Sequence, residues 1–171
     1  FAYQINENLP PEHGCNSQSD LPYRVCLAAQ AFQSNLNAVS QNPYYYRSRV
    51  ALGNSAYNLK LNDETIRFYT DGSSLLPGSW RLKNELADAY LEAAQPEGAL
   101  FVLGESLAIT QDSRLSASAL YLQAQAYQEL GDFSSSAHAF ESALSIAPTA
   151  APAQGALKVL DEYYVDVGRE P

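Results

Sequence analysis

Three Ala-Tyr pairs, Ala56-Tyr57, Ala89-Tyr90 and Ala126-Tyr127, recur at separations of 33 and 37 residues. Each pair closes one helical pattern just before a short break and a second pattern. A period of roughly 20 to 50 residues marks stacked supersecondary units, because a single unit cannot bury its apolar face alone. The chain therefore reads as a stack of antiparallel helix hairpins. Such stacks mostly present surfaces to other macromolecules, which turns the search for function toward surfaces before catalytic centres.

The apolar spacing divides the chain into an arm and a helical domain. Residues 1 to 19 contain Pro10-Pro11, Gly14 and many Asn, Gln and Ser without helical or strand periodicity, and read as an extended arm. From residue 20 the pattern changes, and the helical domain runs from 20 to 171. Val25, Ala28, Ala29, Phe32, Leu36 and Val39 form one stripe at three- and four-residue steps, which predicts a helix over 20–41 that lacks a hairpin partner before it. Asn42-Pro43 reads as an N-cap with proline at the first helical position, opening a helix to about 60. Further helices are predicted from 62 to about 76, from a Ser79 cap through 94, from Pro96 to 109, and from Asp112 or Ser113 to 130. Gly131-Asp132 reads as a stop followed by a cap for 133–147, and a last helix spans about 151–167.

Charge and cysteines bound the partners and the compartment. A net charge of -9 and scattered basic residues exclude a phosphate-backbone partner, which needs clustered Lys and Arg. No apolar run approaches the ~18 residues of a membrane helix, so no membrane insertion is expected. The chain begins with Phe and contains no Met, which reads as a processed chain or as a piece of a longer protein. Cys15 and Cys26 stand 11 apart across a polar segment. A disulfide between them, two free thiols and half of a metal site are the alternatives. The metal reading is the poorest, because only His13 lies near and no C-x-x-C occurs. The disulfide is the favoured reading, and with the missing leader it leads us to expect an oxidising, extracytoplasmic compartment: secreted, cell-surface or periplasmic.

Between Tyr121 and Pro148 the residues Ala124, Tyr127, Gly131, Asp132, Phe133, Phe140, Ala143 and Pro148 fall at a recognisable spacing. In this the chain resembles the tetratricopeptide repeat family. A second copy keeps Leu86, Ala87, Tyr90, Ala99 and Leu103, and a first keeps Leu52-Gly53 and Pro77 but places Tyr57 one residue late. The resemblance covers about 43–148 and describes packing. It implies an all-α, right-handed solenoid of hairpins whose concave groove is lined by the first helix of each pair. On that implication the groove candidates are Arg47, Asn54 and Asn58 in the first copy, Arg81, Asn84 and Asp88 in the second, and Tyr121, Gln125 and Gln128 in the third. Ordinary solvated helix surface is the competing reading for all nine. The family's peptide-carboxylate clamp needs several Lys or Arg with Asn, and two basic residues do not supply it.

Catalytic chemistry is not indicated. His13 and His138 have no Ser-Asp constellation at motif spacing, and no phosphate-cradling glycine motif is present, so neither an enzyme nor a cofactor is expected. The run Tyr44-Tyr45-Tyr46 cannot all face one core, because helix neighbours lie about 100° apart. Those three, with Tyr163, Tyr164 and the arm residues Phe1, Tyr3 and Ile5, are the interface candidates. Two functional readings follow. One is a structural subunit that assembles head-to-tail with copies of itself into a filament or fibre through the arm and the solenoid ends; the other is a monomeric envelope adaptor whose groove holds a different protein.

Overall fold

The structure is a computed structural model that describes residues 23–110, 113–149 and 153–166. Among the described residues it is all-α, with eight helices and no strand. They are α1 (Tyr23–Gln41), α2 (Tyr46–Asn58), α3 (Asn62–Leu75), α4 (Trp80–Glu92), α5 (Pro96–Ile109), α6 (Ser113–Glu129), α7 (Phe133–Ile146) and α8 (Ala153–Asp166). The chain forms two compact units, the first ending at Leu75 and the second beginning at Leu76.

In the first unit, α1 packs on α2 and α2 on α3. The apolar stripe of α1 meets the hairpin around Phe32, Leu52, Ala56 and Phe68, with the Phe32 and Phe68 rings 5.8 Å apart and tilted. Asn35 on the same helix donates its Nδ2–H groups to Ala51 O and Ser55 Oγ, at 3.0 and 3.1 Å, so a polar clamp fixes α1 against α2. The helix that lacked a hairpin partner in sequence thus finds its partner in the hairpin that follows it. Asn42 is not the cap of α2. Tyr45 N–H donates to Asn42 O, closing a turn with Pro43 at its second position, where a fixed φ suits a turn. The helix starts three residues later than expected, behind Tyr45, which makes no side-chain capping bond. Gly53 lets Tyr69 of α3 lie directly over α2: a Cβ there would stand 2.3 Å from the ring.

In the second unit, α4 to α8 form successive antiparallel neighbours, and α4 also touches α6. Ser79 caps α4 by accepting from Leu82 N–H at 3.4 Å, and Asp132 caps α7 by accepting from Ser135 N–H at 3.0 Å. Pro96 opens α5 at its first position. Small residues set the approach of the helices. Ala87, Ala99, Ala119 and Ala126 surround Leu103 in one cluster, while Ala124, Ala137 and Ala143 join Tyr121, Phe140, Ala156 and Leu160 in the next.

Three helix ends share one geometry, and it corrects the register of the opening pattern. Lys60, Ala94 and Gly131 all adopt positive φ, and the following amides of Leu61, Gln95 and Asp132 donate back to the carbonyls of Ala56, Tyr90 and Tyr127. Ala56, not Tyr57, therefore occupies the position of Tyr90 and Tyr127. The third Ala-Tyr pair and the second are equivalent, but the first is a neighbour in sequence that lies one step out of phase.

Candidate functional site: a concave strip on α4 and α6

The first helices of the two hairpins in the second unit, α4 and α6, expose a continuous polar strip. One concavity of about 420 Å³ is lined by Trp80, Arg81, Asn84, Glu85, Asp88 and Gln125 among others. A second, of about 430 Å³, takes in Asp88, Glu92, Gln125, Gln128 and Glu129. Asp88 and Gln125 belong to both, so the two are one strip. Helical spacing explains the assembly: positions 81, 85, 88 and 92 of α4 and positions 125 and 128 of α6 lie at three- and four-residue steps on one face.

The strip is acidic. Glu85, Asp88, Glu92 and Glu129 contribute four carboxylates against the single guanidinium of Arg81. Arg81 Nε already lies 3.5 Å from Glu85 Oε1 across one helical turn. Burial pushes the Glu85 carboxyl above its ordinary value, and the nearby Arg81 offsets only part of that rise. Burial, then the charge of Glu92, does the same to Asp88. Crowded, partly desolvated carboxylates of this kind gain from a cation brought to them.

The floor of the strip is a buried polar clamp. Asn84 is 7% exposed; it donates Nδ2–H to Ser118 Oγ at 3.0 Å on α6 and accepts from Ser106 Oγ at 2.6 Å on α5. Ser106 is fully buried and also reaches Trp80 O at 3.3 Å. Beside it, the buried Lys83 pairs through Nζ with Glu105 Oε2 at 2.7 Å. Together these bonds hold α4 and α5 in register and tie α4 to α6.

Of the nine groove candidates, Arg81, Asn84, Asp88, Tyr121, Gln125 and Gln128 come together in the lining of this strip. Two of them are largely buried. Asn84, at the floor, ties three helices together. Tyr121, 4% exposed, turns its ring into the core 6.3 Å from Phe140 and donates its hydroxyl to Ala147 O, and burial pushes its phenol upward. Arg47, Asn54 and Asn58 lie exposed on α2, in the first unit, where Asn54 Oδ1 accepts from Tyr69 OH at 2.7 Å. Glu85, Glu92 and Glu129 were missed. Their signal was the same-face spacing from Arg81, Asp88 and Gln125, visible once acidic residues are counted along the face.

The interface candidates divide as sharply. Tyr44 and Tyr45 are 65% and 49% exposed, while Tyr46 is half-buried at the start of α2. Tyr163 and Tyr164, both half-buried, pack edge-to-face with each other, 5.5 Å apart, against the chain's own last core cluster, and Tyr164 OH donates to Glu141. Phe1, Tyr3, Ile5 and Cys15 lie outside the described residues, and Cys26 is buried in α1. His138 is exposed, with Nδ1 2.8 Å from Ser134 O. Among the described residues no group of three or more His, Cys, Asp or Glu could hold a metal, and no helix is long and apolar enough to cross a membrane.

A family model described as tetratricopeptide repeat matches residues 117–150, which span the end of α6, the Gly131-Asp132 turn and α7. Among solved structures, a crystal structure of MamA superposes with a TM-score of 0.69 at 18% identity, over 80% of this chain and 77% of that one. A MamA fragment from Desulfovibrio magneticus RS-1 gives 0.63 at 17% identity, over 85% and 86% of the two chains. The tetratricopeptide domain of Arabidopsis OM64 gives 0.61 at 24% identity, over 75% of this chain and 98% of that one. No curated protein matches the sequence. At these identities the structural likeness establishes the fold, which is that of a tetratricopeptide-like helical repeat.

Proposed function

We propose that this tetratricopeptide-like chain is a non-enzymatic protein-interaction scaffold whose α4–α6 strip holds an extended segment of a partner protein carrying Lys or Arg. The observation that carries the reading is the charge of the strip: four carboxylates, two of them pushed upward by burial, surround one arginine that is already paired. A basic segment relieves that crowding, and Gln125 and Gln128 offer amides to its backbone. Fluorescence anisotropy with a Lys-bearing peptide and a Glu-bearing peptide of the same length tests it. The basic peptide is expected to bind at least tenfold tighter, with affinity falling as salt is raised. Equal binding of the two peptides, or no effect of Asp88→Asn with Glu92→Gln, would remove the reading.

Self-assembly is the second reading, favoured by the exposed Tyr44-Tyr45 pair, two adjacent aromatic rings in a surface turn. It predicts species well above the 18.7 kDa of one chain in solution, and their dissolution when residues 1–13 are deleted. A chain that stays at the monomer mass at high concentration leaves the groove reading alone. An extracytoplasmic location is part of the same proposal and rests on a Cys15–Cys26 bridge. Peptide mapping without reduction is expected to recover the two cysteines linked. Two alkylatable thiols in the native protein would withdraw both the bridge and the location.

A further inference from the structure

A concavity in the first unit is built from other helices than the α4–α6 strip, and differently. It has a volume of about 600 Å³ and opens between α1, α2 and α3. Its apolar lining comes from Leu36 and Val39 of α1, Leu52 of α2, and Phe68 and Leu75 of α3. Leu36 and Val39 are only partly covered by the core beneath them, and Leu75 is an exposed leucine, so the apolar wall reaches solvent through the cleft. Sites that hold small ligands are of this kind, at ~300–1,000 Å³, with apolar walls and a few placed polar groups.

The placed polar group is Arg49. It lines the same cleft and is 8% exposed. Its Nε–H donates to Pro43 O, and among the described residues this is the side chain's one hydrogen bond; no carboxylate there stands within ion-pair distance. A guanidinium stays charged at any physiological pH and carries five N–H donors. None of the other guanidinium N–H groups of Arg49 is buried without a partner, so those groups reach solvent and can receive an anion through two parallel bonds. Asp71, the other charged residue of the lining, is exposed on α3. Its charge lies in water, where it is screened.

We propose that the first unit carries a binding site for a small apolar carboxylate, with the carboxylate on Arg49 and the hydrocarbon against Leu36, Val39, Phe68 and Leu75. Charge complementarity selects the head group, and the apolar wall selects the tail. The site is independent of the strip on α4 and α6 and does not rest on the function proposed for it.

Isothermal titration of the full chain with octanoate, octanol and octylammonium tests the assignment. Octanoate is expected to bind saturably at one site, and octanol and octylammonium at least tenfold more weakly. Arg49→Gln is expected to abolish the preference for octanoate over octanol. Because that change also removes the bond to Pro43, Ser74→Trp serves as a second variant: Ser74 is exposed on the wall of the cleft, so an indole there fills the site without touching the core. It is expected to block octanoate while leaving the melting temperature within a few degrees. Octanol binding as well as octanoate, a preference for octylammonium, binding indifferent to both variants, or no saturable binding at millimolar octanoate would each overturn the proposal.

Discussion

Asn84→Ala is the substitution that most sharply separates a structural from a solvated reading of the groove face. The side chain makes two hydrogen bonds, to Ser118 on α6 and Ser106 on α5, and it is nine-tenths buried while doing so. Each such bond contributes a net ~0.5–1.5 kcal/mol, and a partner left buried without its bond adds to the loss. Ser106 is fully buried and would keep only the 3.3 Å bond to Trp80 O, so the loss comes to about 2–3 kcal/mol. Trp80 is the chain's single tryptophan and sits at this junction, so urea unfolding followed by its emission reports directly on the second unit. Coupling makes the argument stricter: Asn84→Ala and Ser106→Ala should be non-additive by at least ~0.5 kcal/mol, as expected of residues in one network. A loss below about 0.5 kcal/mol, the range of surface changes, or full additivity of the pair, would refute the clamp.

Three further outcomes follow from the same geometry. Gly53→Ala should destabilise the first unit by about 2–3 kcal/mol or more, since its Cβ would meet the buried Tyr69 ring at 2.3 Å; a melt within a degree of wild type would mean that the ring moves freely. Tyr121→Ala should cost about 3–5 kcal/mol and the half-buried Tyr127→Ala about 2, with Gln125→Ala near zero; thermal melts that reverse the first two would return Tyr121 to the surface. Asp88→Asn should raise the melting temperature at about pH 7. The Asp88 carboxyl titrates above its ordinary 3.8, so its ionised form weakens the fold above that window, and the penalty disappears as pH falls through the raised value. The gain from Asp88→Asn should therefore shrink toward pH 3.8, and a gain that is constant with pH would exclude the titration.

What was legible in the sequence was whatever acts locally. Ser79, Pro96, Gly131 and Asp132 announce helix boundaries by chemistry that operates within one turn, and the structure uses each of them as read. The Asn42-Pro43 dipeptide was misread because proline suits both the first helical position and the second position of a turn, and only the neighbouring packing chooses between them. The burial of Asn84 was hidden for a different reason. Its partners lie 22 and 34 residues away, and a helical wheel cannot tell a side chain that faces a groove from one that reaches the next helix at the groove's floor. Tyr121 and the Tyr163-Tyr164 pair carry a polar tip on an apolar ring, so composition fits core and interface equally, and the long-range contact decides. The out-of-phase Tyr57 shows the same limit from the other side. The sequence repeats Ala-Tyr, whereas the backbone repeats the returning hydrogen bond at Ala56, Tyr90 and Tyr127.

The most direct measurement of the central claim is an amide chemical-shift map of the ¹⁵N-labelled chain titrated with the Lys-bearing peptide. The account predicts that the largest shifts fall on Arg81, Glu85, Asp88 and Glu92 of α4 and on Gln125, Gln128 and Glu129 of α6, and that they collapse in high salt. Shifts centred on Tyr44 and Tyr45, or scattered over every acidic surface with no focus on α4 and α6, would contradict it.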